Sequence, residues 1–245
     1  MNNNLIVYPT GLLISLLITL TITPYIRSYC LNAAITDRLD SRSQHKSPIV
    51  RTGGLGIFIS FIITLTFFWS IKSFEQIDKN QILIISSIIL GSTIFFLIGL
   101  IDDLKNLSPF SRLTIQFFSS SLVWVMGLRI DIINFLWLDN IQIPIIASFL
   151  ITIFWITGIT NAINWLDGLD GLAAGLIVIS LTNIILFSLT NEIFYIALIS
   201  SIICGSCLGF LNYNLYPAKI LMGDGGSYFL GFTLSILSIL SCQLP

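Results

Sequence analysis

Residues 161–175 read NAINWLDGLDGLAAG. The apolar run IPIIASFLITIFWITGIT (143–160) precedes them and LIVISLTNIILFSL (176–189) follows. Asn161, Asn164, Asp167 and Asp170 recur every third residue in the seam between two segments long enough to cross a bilayer. The fold follows from whether such seams are loops of a soluble core or ends of membrane helices.

Composition decides for the membrane. Hydrophobic residues make up 55% of the 245, charged residues only 9%, and mean hydropathy is +0.94. A soluble domain carries roughly 25% charged residues. Hydropathy predicts eight spans, near 5–26, 54–71, 82–101, 112–128, 143–160, 171–189, 193–211 and 227–244. The expected architecture is an all-α, polytopic transmembrane helical bundle, one integral-membrane domain over 1–245. The first run lacks a basic leader and a small-residue cleavage site, so it is retained as a span.

Lys and Arg orient the bundle. Eight crossings put 27–53, 102–112, 161–170 and 212–226 on one side. That side holds Arg27, Arg38, Arg42, Lys46, Arg51, Lys105, Arg112 and Lys219, against Lys72, Lys79 and Arg129 on the other. Positive-inside places the richer set in the cytoplasm and the N-terminus outside. The expected location is a bacterial cytoplasmic (inner) membrane.

Asp102, Asp103, Asp167, Asp170 and Asp224 lie at the ends of apolar runs on that same face. Clustered carboxylates repel one another and need cations. Oxygen-rich sites of this kind suit Mg²⁺, with Mn²⁺ as a substitute, together with substrate phosphates. A basic loop beside a metal is the usual setting for phosphoryl transfer. Other features read as structural. Cys204 and Cys207 form CGSC inside a span, where small residues serve helix packing rather than redox chemistry. His45, the only histidine, reads as a loop residue when taken alone. A carrier would place its polar site near the midplane, commonly within repeated halves. These acids instead sit at one boundary. No nucleic-acid partner is expected.

Four blocks then carry a resemblance. They are DRLDSRSQHKSPIVRTGGLGIF (37–58), GLIDDLKNLSPFSRLTIQ (99–116), NAINWLDGLDGLAAG, and FLNYNLYPAKILMGDGGSYFLGF (210–232). Together they resemble the polyprenyl-phosphate N-acetylhexosamine-1-phosphate transferase family, the glycosyltransferase 4 enzymes that include phospho-N-acetylmuramoyl-pentapeptide-transferase. The likeness is closer to the undecaprenyl-phosphate GlcNAc-1-phosphate transferase branch. It implies that polyprenyl phosphate attacks the β-phosphorus of a UDP-N-acetylhexosamine, UDP-GlcNAc first, releasing UMP in the first membrane step of a cell-envelope polysaccharide. By the same resemblance, Asp224 with Asn164 would hold the metal. Asp102 and Asp103 would position or deprotonate the lipid phosphate. Asp167, Gly168, Leu169, Asp170 and Asn214 would form the nucleoside pocket, and Lys46 would contact phosphate or sugar.

Two departures accompany the likeness. Leu221 stands where relatives often carry an aromatic residue. The family's C-terminal histidine motif is missing before Pro245, so the expectation is a truncated product or a chain completed by a second polypeptide. A second copy of the chain or a complementing C-terminal polypeptide is the candidate protein partner. The alternative function is a catalytically weakened or split-chain membrane subunit that binds UDP-sugar without turnover alone.

Overall fold

The computed structural model describes residues 4–33, 49–71, 78–135 and 138–242. Eight helices run through them: α1 (Asn4–Asn32), α2 (Gly54–Ser70), α3 (Lys79–Lys105), α4 (Pro109–Val125), α5 (Ile145–Leu166), α6 (Leu172–Thr190), α7 (Phe194–Asn214) and α8 (Gly223–Cys242). All eight expected spans are therefore helices. Six of the described helices are long and apolar enough to cross a membrane, while α2 and α4 have 17 residues each. A short antiparallel hairpin, β1 (Ile132–Phe135) with β2 (Leu138–Gln142), joins α4 to α5. The sequence reading had left it as a connection.

Local chemistry sets the helix ends. Asp78 opens α3 with a capping box, accepting from the Lys79 amide while its own N–H donates to Gln81. Asn106 closes α3 at φ 51°, and Ser108 caps α4 by accepting from the Ser111 amide at 3.1 Å. The corner between α3 and α4 is only three residues long as a result. Gly171 turns α5 into α6 at φ 73°, a conformation that costs glycine little.

Helices α7 and α8 form the centre. Nearly every residue of each is buried, as expected for a helix apolar all round. α1 and α6 cover α7, α3 and α5 flank α8, and α4 lies outside against α3 and α5. Small residues permit the closest approaches: a Cβ on Gly99 would overlap the Asp224 carbonyl, and one on Gly54 would overlap the Gly226 backbone. Gly205, between Cys204 and Cys207, meets the Leu12 carbonyl of α1 in the same way, so the CGSC stretch is a packing surface. Both cysteines are buried free thiols.

Several boundaries move, α1 by six residues to 32, and three of the shifts bear on the polar residues: α3 continues to 105 rather than 101, α5 to 166 rather than 160, and α8 begins at 223 rather than 227. Each extension carries the polar residues of interest onto a helix. The segment before α2 then pairs with the segment before α8: the Gly53 amide donates to the Leu221 carbonyl, Gly54 to Met222, and Leu221 to Val50. These bonds bring residues 50–54 and 221–222 to one end of the bundle, as the span count required.

Candidate active site

The first turn of α8 organises this end. A helix leaves its first N–H groups without partners inside the helix. Here the donors come from three consecutive residues and the acceptors are two aspartates from other helices. Gly223 N–H donates to Asp167 Oδ2 at 3.1 Å, Asp224 N–H to Asp103 Oδ1 at 2.9 Å, and Gly225 N–H to Asp103 Oδ2 at 3.0 Å. Asp103, on the last turn of α3, thus caps α8 across the bundle. Negative charge at a helix N-terminus is also favoured by the helix dipole.

Asp224 projects from the same turn and is 8% exposed. Its Oδ1 accepts from Asn164 Nδ2 at 2.7 Å and from Arg51 Nη2 at 3.3 Å. Arg51 Nε lies 3.8 Å from Asp103 Oδ1, a charge contact rather than a hydrogen bond. Asn164 spends its second amide hydrogen on Ser227 Oγ at 2.9 Å, which leaves its carbonyl oxygen as an acceptor. Asp102 is buried and accepts from Arg112 Nη1 at 3.1 Å, the Leu107 amide at 2.8 Å and the Tyr228 hydroxyl at 3.3 Å.

Asp102, Asp103, Asp167 and Asp224 accordingly meet at one junction, contributed by α3, the end of α5 and α8. Burial pushes the Asp167 carboxyl up to about 8, opposed by the Gly223 amide and the Arg51 charge. The remaining predicted residues take different positions. Asp170 Oδ2 accepts from the Ala218 amide at 2.9 Å. Asn214 is buried, accepting from Gly171 N–H at 3.1 Å and donating to the Ile220 carbonyl at 3.0 Å. Both brace the loop between α7 and α8 against the α5–α6 corner. Gly168 and Leu169 are exposed in that corner. Lys46 lies outside the described residues, as do Asp37, His45 and Pro48.

Beside the junction a cavity of about 380 Å³ opens between α4 and α5. Leu113, Phe154 and Trp165 give it apolar walls; Arg112, Asn161 and Asn164 give it polar ones. Asn164 also touches Asp224, so cavity and junction share a side chain. Asn161 is held by Gln116, whose Oε1 accepts its amide at 2.7 Å from a fully buried position.

Among the described residues no group of three or more His, Cys, Asp or Glu could enclose a metal unaided. Magnesium typically takes one or two carboxylates and completes its shell with water and substrate phosphate. The Asp224 carboxylate supplies one hard oxygen donor, and Asn164, which turns its amide nitrogen to Asp224 and lines the cavity, has a carbonyl oxygen left as a second, a set that fits that pattern.

Ser227, Tyr228 and the bracing role of Asp170 are not legible in the sequence, and Arg51 is legible only as a cation of this face, not as the partner of Asp224 and Asp103. Arg51 was one cation among several in a basic loop. Its position two residues before the Gly53–Gly54 close approach was the available signal.

The family described as Glycosyl transferase family 4 matches residues 85–242. The chain is similar to the probable undecaprenyl-phosphate N-acetylglucosaminyl 1-phosphate transferase of Bacillus subtilis, 37% identical over 229 residues, covering 93% of this chain and 61% of that protein. It is 32% identical over 212 residues to the decaprenyl-phosphate N-acetylglucosaminephosphotransferase of Mycobacterium leprae, covering 80% of this chain and 52% of that one. It is 31% identical over 250 residues to the phospho-N-acetylmuramoyl-pentapeptide-transferase of Staphylococcus haemolyticus, covering 95% and 75%. The chain therefore spans 61% and 52% of the first two relatives.

Proposed function

Because the chain belongs to glycosyl transferase family 4, we propose that its acidic junction transfers N-acetylhexosamine-1-phosphate from a UDP-sugar, UDP-GlcNAc first, to a polyprenyl phosphate. A lipid phosphate oxygen bonds to the sugar-bearing phosphorus, the bond from that phosphorus to the UMP oxygen breaks, and UMP departs. The observation that carries this reading is the meeting of Asp102, Asp103, Asp167 and Asp224 around the α8 N-terminus, beside a cavity that is apolar on one wall and bears Arg112 on another.

Each residue has a task that its contacts support. Leu113, Phe154 and Trp165 give a prenyl chain an apolar wall, and Arg112 supplies charge for its phosphate. Trp165 is 83% exposed, suiting the interface where aromatic residues concentrate. Asp103 fixes the α8 turn and so the direction of Asp224. A phosphate monoester is already largely ionised near neutral pH. Positioning by Asp102 and Asp103 therefore matters more than removing a proton. Asp224 with Asn164 would hold Mg²⁺, which when bound supplies charge neutralisation on the phosphates. Braced by Asp170 and Asn214, the α7–α8 loop and the α5–α6 corner would hold the nucleoside. The cation bias of the loops supports a cytoplasmic position for this end, and the bacterial relatives support a bacterial inner membrane for the bundle.

Membranes containing the protein should convert radiolabelled UDP-GlcNAc into an organic-extractable lipid. Asp224→Asn and EDTA should each abolish that product. Product that persists through both would remove the metal role and this reading.

A further inference from the structure

Arg51 joins the two acids on which the α8 turn depends. Its guanidinium lies 3.3 Å from Asp224 Oδ1 and 3.8 Å from Asp103 Oδ1. The acid side chains are only 11% and 4% exposed, whereas that of Arg51 is 45% exposed. Buried carboxylates are strongly destabilising without a positive partner. Arg51 supplies one from the rim, on a long and half-exposed side chain.

Its backbone is held. Val50 accepts from Leu221 at 2.8 Å and Gly53 donates to Leu221 at 2.9 Å, so the residues on either side of Arg51 are tied to the approach to α8. The arginine can therefore change partners by rotating its side chain while its Cα stays in place. A divalent ion binds carboxylate oxygen at about 2.1 Å. On Asp224 it would share one carboxylate with a guanidinium already bonded to Oδ1. The two cations would repel each other across that carboxylate, so each weakens the hold of the other.

We propose that Arg51 is the resident cation of the junction, that it competes with the divalent ion for Asp224, and that it transfers to the diphosphate of the nucleotide when ion and nucleotide arrive together. This rests on the reading of Asp224 as a metal ligand given above. A planar guanidinium pairs with phosphate oxygens as readily as with carboxylates. The exchange couples the two ligands: nucleotide draws Arg51 away and frees the acids, so each ligand tightens the other by the same factor. Arg51 is a positioning residue in this scheme, and its effect is visible in binding without turnover.

The test measures Mn²⁺ binding to the purified full chain in detergent by electron paramagnetic resonance, with and without uridine diphosphate. In the wild type, uridine diphosphate should tighten Mn²⁺ binding by about tenfold. Arg51→Gln should bind Mn²⁺ about tenfold tighter than wild type without nucleotide, and the nucleotide should add little further. Mn²⁺ affinity in Arg51→Gln equal to or weaker than wild type overturns the proposal. If Asp224→Asn loses the ion in that same experiment, the metal reading survives and only the role of Arg51 falls. No Mn²⁺ bound by any variant overturns both. Should Arg51→Gln not fold, Arg51→Lys decides. Retained charge without the planar fork should keep Mn²⁺ affinity within about threefold of wild type and weaken the nucleotide coupling. Unchanged coupling in that variant overturns the exchange.

Discussion

Gly99→Ala is the sharpest perturbation of the junction, because it leaves every acidic side chain unsubstituted. Gly99 faces the α8 turn that Asp103 caps. An added Cβ would overlap the Asp224 carbonyl and stand 2.6 Å from the Gly225 nitrogen. An ordinary contact of this kind is about 3.5 Å, so α3 and α8 must part by about 1 Å. Asp103 then moves from 2.9 and 3.0 Å to beyond hydrogen-bond range of both amides. Two bonds to a charged group are worth about 3–6 kcal/mol together, and overpacking adds about 1–3 kcal/mol. Helix parting relieves part of the second, so a net loss of about 4 kcal/mol is the working figure. In a chain of this size about 1 kcal/mol lowers the melting midpoint by about 2–4 °C, which predicts a fall of roughly 8 °C or more. The assay is thermal unfolding in detergent against Gly175→Ala, a control within α6 where a Cβ meets nothing within 4 Å. The control should match or slightly exceed wild type. A Gly99→Ala midpoint within about 2 °C of wild type would refute the claim that close approach of α3 and α8 holds the cap.

Two further outcomes follow from the same contacts. Folding raises the Asp167 carboxyl from its ordinary value to about 8, so the folded form binds the extra proton. In EDTA, stability should fall as pH climbs toward 8, and Asp167→Asn should flatten part of that slope in a pH series of melting curves. Arg112→Ala leaves buried Asp102 without its charged partner. A loss of about 2–4 kcal/mol is expected, since Arg112 is itself 30% exposed, and Arg112→Lys should restore part of it.

Much of the fold was legible because hydropathy reports lipid contact, and all eight spans became helices. The reading failed where polarity and burial part company. It ended three spans short of their acids and amides, yet Asp102 and Asp103 continue α3, Asn161 and Asn164 continue α5, and Asp224 lies in α8. Each is paired by another element, so polarity did not end the helix. The membership of the junction was legible too, since span parity puts these acids on one face. Their division of labour was not. Nothing in a one-dimensional pattern separates Asp103 capping α8 from Asp102 held by Arg112 and Tyr228, nor Arg51 from its loop neighbours. Those assignments depend on side-chain distances between residues up to 173 positions apart.

The central place of α8 has a consequence for biosynthesis. A ribosome makes α3 and α5 well before α8, so their inner faces reach the bilayer while the slot between them is unfilled. Asp103 and Asp167 must wait, without the amides they will cap, until the residues from Gly223 onward emerge. Nascent chains interrupted before that point would carry Asp103 and Asp167 without the amides that fix them, so the junction would form in a single late step as α8 inserts.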